Sequence, residues 1–469
     1  MRGFLAIACV LLGACSSARS DDARATDGAV EVESDAPDDP GAVFSEATLA
    51  TLRALSPTTL PPPPVDRSNA FADDPRAAAL GQRLFFDPGF SGRLLDGDND
   101  GSAHALGRRG ETGKVACAGC HTPTAGFLDD RTLGKQISLG AGWGRRRAPS
   151  LLDVGQASLV MWDGRHDALY NQIFGPLESP VEMNSSRLFV AEQLFARHRA
   201  EYESIFGAMP PLDDAARFPV LTAEATGCQP SGVDPKAACD GSMHGIPGDG
   251  AEFDHLSPAD RDAVTRVVVN AGKAIGAYER LLSCGASRFD AWVHGNESAL
   301  TRTEQRGAEV FVRAGCVGCH SGPYFSDQKF HVVGLKPALV AVTFLDADDQ
   351  GASAGLTAAI ADPLDVRGVF SDGDDGRLPT AAGDELRGAF RTPMLRCVSR
   401  RPSLMHTGQL RTLDDVVAFF DRGGDDAGYP GKNELHALGL TPRERADLVS
   451  FLIALDGPGP DPRLTKPLP

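Results

Sequence analysis

Two short stretches carry the residue types and spacing of bond-forming chemistry: Cys117-Ala118-Gly119-Cys120-His121 and Cys316-Val317-Gly318-Cys319-His320. A pair of thiols followed directly by an imidazole can add to the vinyl groups of a porphyrin and give its iron an axial nitrogen, which is covalent c-type haem attachment. Polar loop residues follow both motifs, with no β-α-β pattern. That leaves little room for a thioredoxin-like redox pair or a split zinc site. Among the remaining cysteines, Cys228 and Cys239 bracket a Pro/Gly loop, and in an oxidising compartment a local disulfide is the economical reading. Cys284 and Cys397 either pair or stay buried and reduced.

The elements that must position these motifs read as helical. The stretch from Ser257 opens with a Ser257-x-x-Asp260 capping box and Pro258 at the first helical position. It then places Val264, Val267, Val268, Ala271, Ile275 and Tyr278 on one face. Thr301 with Glu304 starts a second capped helix that runs into Cys316. Thr412 with Asp415 starts a third, and Thr441 with Glu444 a fourth near the C-terminus. Strand-like alternation is rare, so the chain is expected to be mainly α with long Gly/Asp-rich loops.

A chain of 469 residues, 42% hydrophobic, suffices for two domains of ordinary size. Its first residues, "MRGFLAIACVLLGACSS", have the basic residue, short apolar run and small residues of an export signal. "LGAC" resembles a lipoprotein processing box that would leave a lipidated Cys15 as the mature N-terminus. From residue 16 to about 42 the chain is rich in Asp, Ala and Ser and reads as a flexible tether. The expected organisation is therefore 1–15 signal, 16–42 tether, 43–256 first haem domain and 257–469 second haem domain. The expected location is the periplasm or cell envelope, with a membrane contact only through the anchor on Cys15. The net charge of −17 argues against nucleic acid.

With both motifs placed, the chain from about residue 70 to 454 resembles the bacterial di-haem cytochrome c peroxidases and the related MauG group. The resemblance is carried by "LGQRLFFDPGFSG", "CAGCHTPTAGFLDD", "APSLLDVGQASLVMWDGRHDALYNQIFGPLESPVEM", "GCVGCHSGPYFSDQKFHVVG" and "GAFRTPMLRCVSRRPSLMHTGQLRTLDDVVAFFDRGG". It implies two cytochrome c-like helical domains with one covalent haem c each, the N-terminal haem reacting with hydrogen peroxide and the C-terminal haem storing electrons. It further implies that the last segment packs back against the first domain. Electrons would come from a small donor such as a c-type cytochrome or a cupredoxin, or from a protein substrate in the MauG type. His121 and His320 would be the proximal iron ligands.

Glu182 stands where the family keeps its acid/base. Its apolar Pro-Val-x-Met setting should raise its proton affinity and suit it to move a proton between the peroxide oxygens. Gln172 matches a hydrogen-bonding neighbour in the same pocket, and Trp162 the aromatic relay between the haems. His331 and His406 match family histidines near the second haem.

Three departures bear on function. Where many of these peroxidases keep an iron-ligating His in a Gly-His-Gly-Trp loop, this chain has Gly140-Ala141-Gly142-Trp143. The first haem is then expected to rest open, as in the MauG type; His166 is the nearest other histidine. At the second haem the family's Met or Tyr ligand falls on Phe420, which has no lone pair. Met405, Met394, His406 or His331 would substitute, or the iron has no sixth ligand. Finally, Arg147 or Ala148 occupies the place of the family's calcium-associated Asn, which makes calcium doubtful and offers Arg145, Arg146 and Arg147 to haem propionates. "DGDNDG" (Asp96 to Gly101) begins like a calcium loop, but its twelfth position is Gly107, so it reads as a solvated acidic insertion.

Overall fold

A computed structural model describes residues 42–230, 239, 241–337 and 348–468. The export signal, Cys15 and the tether through residue 41 lie outside the described residues. The helices that position the site are α1 (Glu46–Ala54), α2 (Pro75–Phe86), α3 (Leu169–Gln172), α4 (Phe174–Glu178), α5 (Arg187–Phe206), α6 (Pro258–Glu279), α7 (Arg302–Arg313), α8 (Ala352–Ala361), α9 (Leu413–Asp421) and α10 (Pro442–Ala454). Named strands among the described residues are two residues long and form two antiparallel pairs, β1 (Gly227–Cys228) with β2 (Met243–His244) and β3 (Phe330–His331) with β4 (Phe390–Arg391). The chain is mainly α.

The helix starts follow the capping residues. Ser257 accepts from the backbone of Asp260, and Thr301, Thr412 and Thr441 each form a complete capping box with the acidic residue three positions on. Each side chain reads an amide that the first turn leaves without a partner. The apolar face expected of α6 is buried throughout, from Val264 to Tyr278.

The two halves are built on the same crossing. In the first, α2 meets α6 so closely that a Cβ on Gly81 would lie 1.9 Å from the Ala274 carbonyl oxygen. In the second, α7 meets α10, and a Cβ on Gly307 would lie 1.9 Å from the Asp447 carbonyl oxygen. One turn beyond each glycine an aromatic pair closes the contact, Phe85 with Tyr278 at 5.1 Å between ring centroids and Phe311 with Phe451 at 5.3 Å. Each crossing therefore needs a residue with no side chain on one helix and a ring on both. This places α6 with the first half: it packs on α2, α3 and α5. A boundary at residue 257 would cut α6 from those neighbours, and the break between the two main cores falls after it.

The halves also exchange segments. Helix α1 puts Leu52 and Leu55 into the second core, while α8 and the segment after it put Leu356, Leu364, Val366 and Phe370 into the first. The C-terminal strap returns to the first half as expected, where Tyr278 donates to the Leu464 carbonyl at 2.5 Å and Gln82 to those of Arg463 and Lys466. Both open cysteine questions are settled by bonds, Cys228–Cys239 and Cys284–Cys397, the second tying the end of α6 to the second half.

A longer internal repeat was not read from the sequence. The loop from Arg147 to Gly164 recurs from Arg391 to Gly408 in one register. Asp153 and Cys397 share a left-handed backbone (φ 60° and 55°), as do Met161 and Met405 (φ 71° and 70°) and Gly164 and Gly408. A 3-10 turn follows the first pair in both copies, and the bridge Val160–His166 matches Leu404–Leu410. Continuing the register sets the start of α3 on the start of α9, Gln172 on Val416 and Pro176 on Phe420.

Candidate active site

The first Cys-x-x-Cys-His motif forms a single helical turn, Cys117–Cys120, ending in His121, and opens onto a cavity of about 550 Å³. His121 holds its Nδ1 3.1 Å from the carbonyl oxygen of Phe127; His320 holds its Nδ1 2.8 Å from that of Phe325. A carbonyl only accepts, so the proton sits on Nδ1 and the lone pair on Nε2 is left for a metal. Both phenylalanines are fully buried and left-handed (φ 56° and 54°), a strained backbone that aims each carbonyl at its imidazole. Burial lowers the pKa of both histidines and keeps them neutral. The four motif cysteines form no disulfide.

The cavity brings together what the sequence had spread over many residues. Gln172, Glu182 and Trp162 line it with Cys117, Cys120 and His121. Gln172 ends α3 and points its amide at the Met161 sulfur, 3.5 Å away. Glu182 lies on the loop after α4. Burial raises its pKa, against the opposing pull of Arg165, Ser179 and His166. Trp162 donates its indole N–H to the Arg147 carbonyl at 2.8 Å and sets its ring edge-on to His406, 6.5 Å away, so it stands at the seam between the halves.

The Glu182 loop is fixed from below by the Gly140-Ala141-Gly142-Trp143 loop. The amides of Ala141 and Gly142 donate to the carbonyls of Glu182 and Val181 at 2.7 and 2.9 Å. Ala141 is 0% exposed and belongs to the first core, while Gly140 lines the cavity. The "DGDNDG" stretch is largely exposed, as expected, but two of its residues take part in the same support. Asn99, 1% exposed, donates to the carbonyls of Gly140 and Ala141, and Asp98 accepts from the Trp143 indole at 2.9 Å. These two contacts do not show in the local sequence because their partners lie some forty residues on. Among the described residues, no histidine but His121 lines the cavity. His166 instead lies against Gly175, with its Nδ1 3.7 Å from Asp362.

The three arginines diverge. Arg147 is 1% exposed and donates to the Asp129 carbonyl and to Thr132, with the Asp129 carboxylate 3.8 Å away. Arg146 is paired with Asp163 and Asp349, and Arg145 is exposed at the cavity mouth. Near the second motif, His331 has both ring nitrogens on carboxylates, Glu434 at 2.7 Å and Asp327 at 3.0 Å. His406 is stacked on Phe390 at 3.6 Å, Met394 is buried, and Met405 adjoins His406 on its strained turn.

One cavity residue escaped the sequence reading. Glu279, 5% exposed, lines the wall near Cys117, and its carboxyl is pushed up to about 8 by burial. It continues the line of Ala271 and Ile275 at steps of four. A carboxylate ending an apolar stripe was the available signal.

The residues of the first motif fit haem: paired thiols beside the cavity, a neutral imidazole with its Nε2 lone pair available, a mainly apolar space and an exposed arginine at its mouth. Comparison with known proteins agrees. A sequence profile described as di-haem cytochrome c peroxidase matches residues 75–226. The methylamine utilization protein MauG of Methylorubrum extorquens is 28% identical over 415 residues, covering 88% of this chain and 87% of that protein. The cytochrome-c peroxidase IdrP1 of Denitromonas iodatirespirans is 29% identical over 443 residues, covering 90% and 94%. The diheme peroxidase BthA of Burkholderia thailandensis has the same fold, with a TM-score of 0.56 at 22% identity over 86% of this chain and 96% of that one. The chain is thus a haem-dependent oxidoreductase that uses peroxide. It belongs to the di-haem cytochrome c peroxidase and MauG family. Among the described residues, no helix is long and apolar enough to cross a membrane.

Proposed function

We propose that this protein is an exported, lipid-anchored di-haem c peroxidase that reduces hydrogen peroxide with electrons from an external donor. Cys117 and Cys120 would hold the first haem and Cys316 and Cys319 the second, with His121 and His320 as proximal ligands. The haem, when bound, supplies the iron at which peroxide is reduced. The observation that carries the reading is the single cavity that gathers His121, Gln172, Glu182 and Trp162 and has no second histidine on its wall.

Glu182 takes the proton from one peroxide oxygen and returns it to the departing one. Its raised proton affinity suits both halves of that transfer. Gln172, tethered to the Met161 sulfur, presents a neutral amide to the bound peroxide. The buried walls exclude water and lower the local dielectric, which strengthens these contacts. Trp162 links the cavity to the second half through the Arg147 carbonyl and the His406 ring.

A second reading, oxidation of an aromatic residue on a partner protein as in the MauG type, is favoured by the same lack of a second histidine on the wall. The spectrum of the oxidised, haem-loaded protein with and without peroxide tests the shared core. A high-spin first haem that reacts directly with peroxide is expected, and low-spin signals alone would refute an open site. Sustained peroxide turnover with a reduced c-type cytochrome or cupredoxin supports the peroxidase; a long-lived oxidised state without turnover supports the second reading.

A further inference from the structure

The repeat locates the residues that face the second haem, given the haem reading above. In the first copy, Arg147, Met161, Trp162, Gln172 and Pro176 line the cavity. The register replaces them with Arg391, Met405, His406, Val416 and Phe420. Helix α9 supports this placement. Val417 and Phe419 are buried, and Val417 belongs to the core that Cys316, Val317 and Leu413 also touch, whereas Val416 and Phe420, at i and i+4, are half-exposed. We propose that the second haem has no side-chain ligand opposite His320, and that Val416 and Phe420 form there an apolar face open to a neutral diatomic ligand such as carbon monoxide.

Of the four lone-pair donors in the region, the two histidines are engaged and the two methionines are placed by the fold. Both nitrogens of His331 meet carboxylates. His406 lies flat on Phe390, and as the counterpart of Trp162 it occupies the seam between the halves. Met394 is buried, and its counterpart Ser150 does not line the first cavity. Met405 shares the left-handed backbone of Met161, whose sulfur accepts from Gln172. That shared turn holds Met405 beside His406 as Met161 is held beside Trp162. Val416 and Phe420 can neither donate an electron pair nor move a proton, so this face accepts a small neutral ligand and lacks the acid that peroxide cleavage uses.

The test is carbon monoxide stoichiometry on the reduced haem-loaded protein, with the spin state of the oxidised form read alongside. Wild type is expected to bind two carbon monoxide molecules per chain and to show two high-spin haems. Phe420→Met, which introduces a thioether at the face, is expected to bind one and to turn one haem low-spin. Phe420→Tyr offers a phenol in nearly the same volume should the Met variant fold poorly. If wild type binds one and Phe420→Met leaves that unchanged, the second face is already closed and the inference fails while the open first haem stands. If wild type binds one and Phe420→Met binds none, the first haem is the closed one and that earlier reading fails instead. Two molecules bound before and after the substitution would refute the placement of position 420. A gain from one to two in Met405→Ala would identify Met405 as the ligand and overturn the inference.

Discussion

Replacing Gly140 by Ala probes whether the loop beneath Glu182 sets the position of the acid. The added Cβ would stand 2.7 Å from the Glu182 carbonyl oxygen, 2.8 Å from that of Val181 and 2.9 Å from the Glu182 Cα. A comfortable C···O approach is about 3.3 Å, so the two loops must part by roughly 0.6 Å. Overpacking of this kind costs about 1–3 kcal/mol. Parting the loops also stretches the bonds from the Ala141 and Gly142 amides, each worth about 1 kcal/mol. Since a misplacement of about 1 Å slows a positioned reaction ~100-fold, a shift of half that size should slow the peroxide step roughly tenfold. Stopped-flow mixing of peroxide with the oxidised haem-loaded variant measures that step, and urea unfolding measures the stability loss. Gly134→Ala, whose Cβ meets nothing within 4 Å, is the control. Lowered stability with a peroxide rate within twofold of wild type would refute the coupling between this loop and the acid.

Glu182→Gln should slow the peroxide step by about 10²–10⁴-fold with the haem spectrum unchanged. Because burial raises the Glu182 pKa, the wild-type rate should fall with decreasing pH above the usual carboxylate range, and the variant should lose that limb of the profile. Glu279→Gln acts on stability. The folded carboxyl is pushed from 4.5 to about 8, so wild type loses stability as pH rises between those values, by at most about 1.4 kcal/mol per unit. The variant, neutral at this position, should show a shallower fall of its urea midpoint across that window than wild type. Opening Cys284–Cys397 with Cys284→Ser and Cys397→Ser, which releases a separation of 113 residues, should cost about 4–5 kcal/mol, against about 3 kcal/mol for Cys228–Cys239 with its separation of 11.

Local signals were legible where one short stretch sufficed to specify them. The haem motifs, the caps at Ser257, Thr301, Thr412 and Thr441, and the apolar face of α6 depend on neighbours within a few residues. Other features were hidden because their partners are far along the chain. The membership of α6 in the first half depends on Gly81 meeting Ala274, and the role of Asp98 and Asn99 on carbonyls and an indole some forty residues away. The repeat was obscured for another reason. The two copies keep a few scattered residues, such as Arg147 with Arg391, Pro149 with Pro393 and Met161 with Met405, among differences such as Asp153 against Cys397 and Trp162 against His406. What matches throughout is backbone, with left-handed residues and bridges at the same places. Hydrophobic periodicity is blind to such a match.

The exchange of segments between the halves has a consequence for how the chain acquires its structure. The N-terminal helix waits for the second half, α8 completes the first only after most of the chain exists, and the last residues close over α2 and α6. Neither half can finish its core as it emerges, so folding should proceed as one cooperative, high-contact-order event. Genetic truncation at the midpoint would not yield two small cytochromes. It would leave two incomplete cores, each lacking a piece encoded in the other.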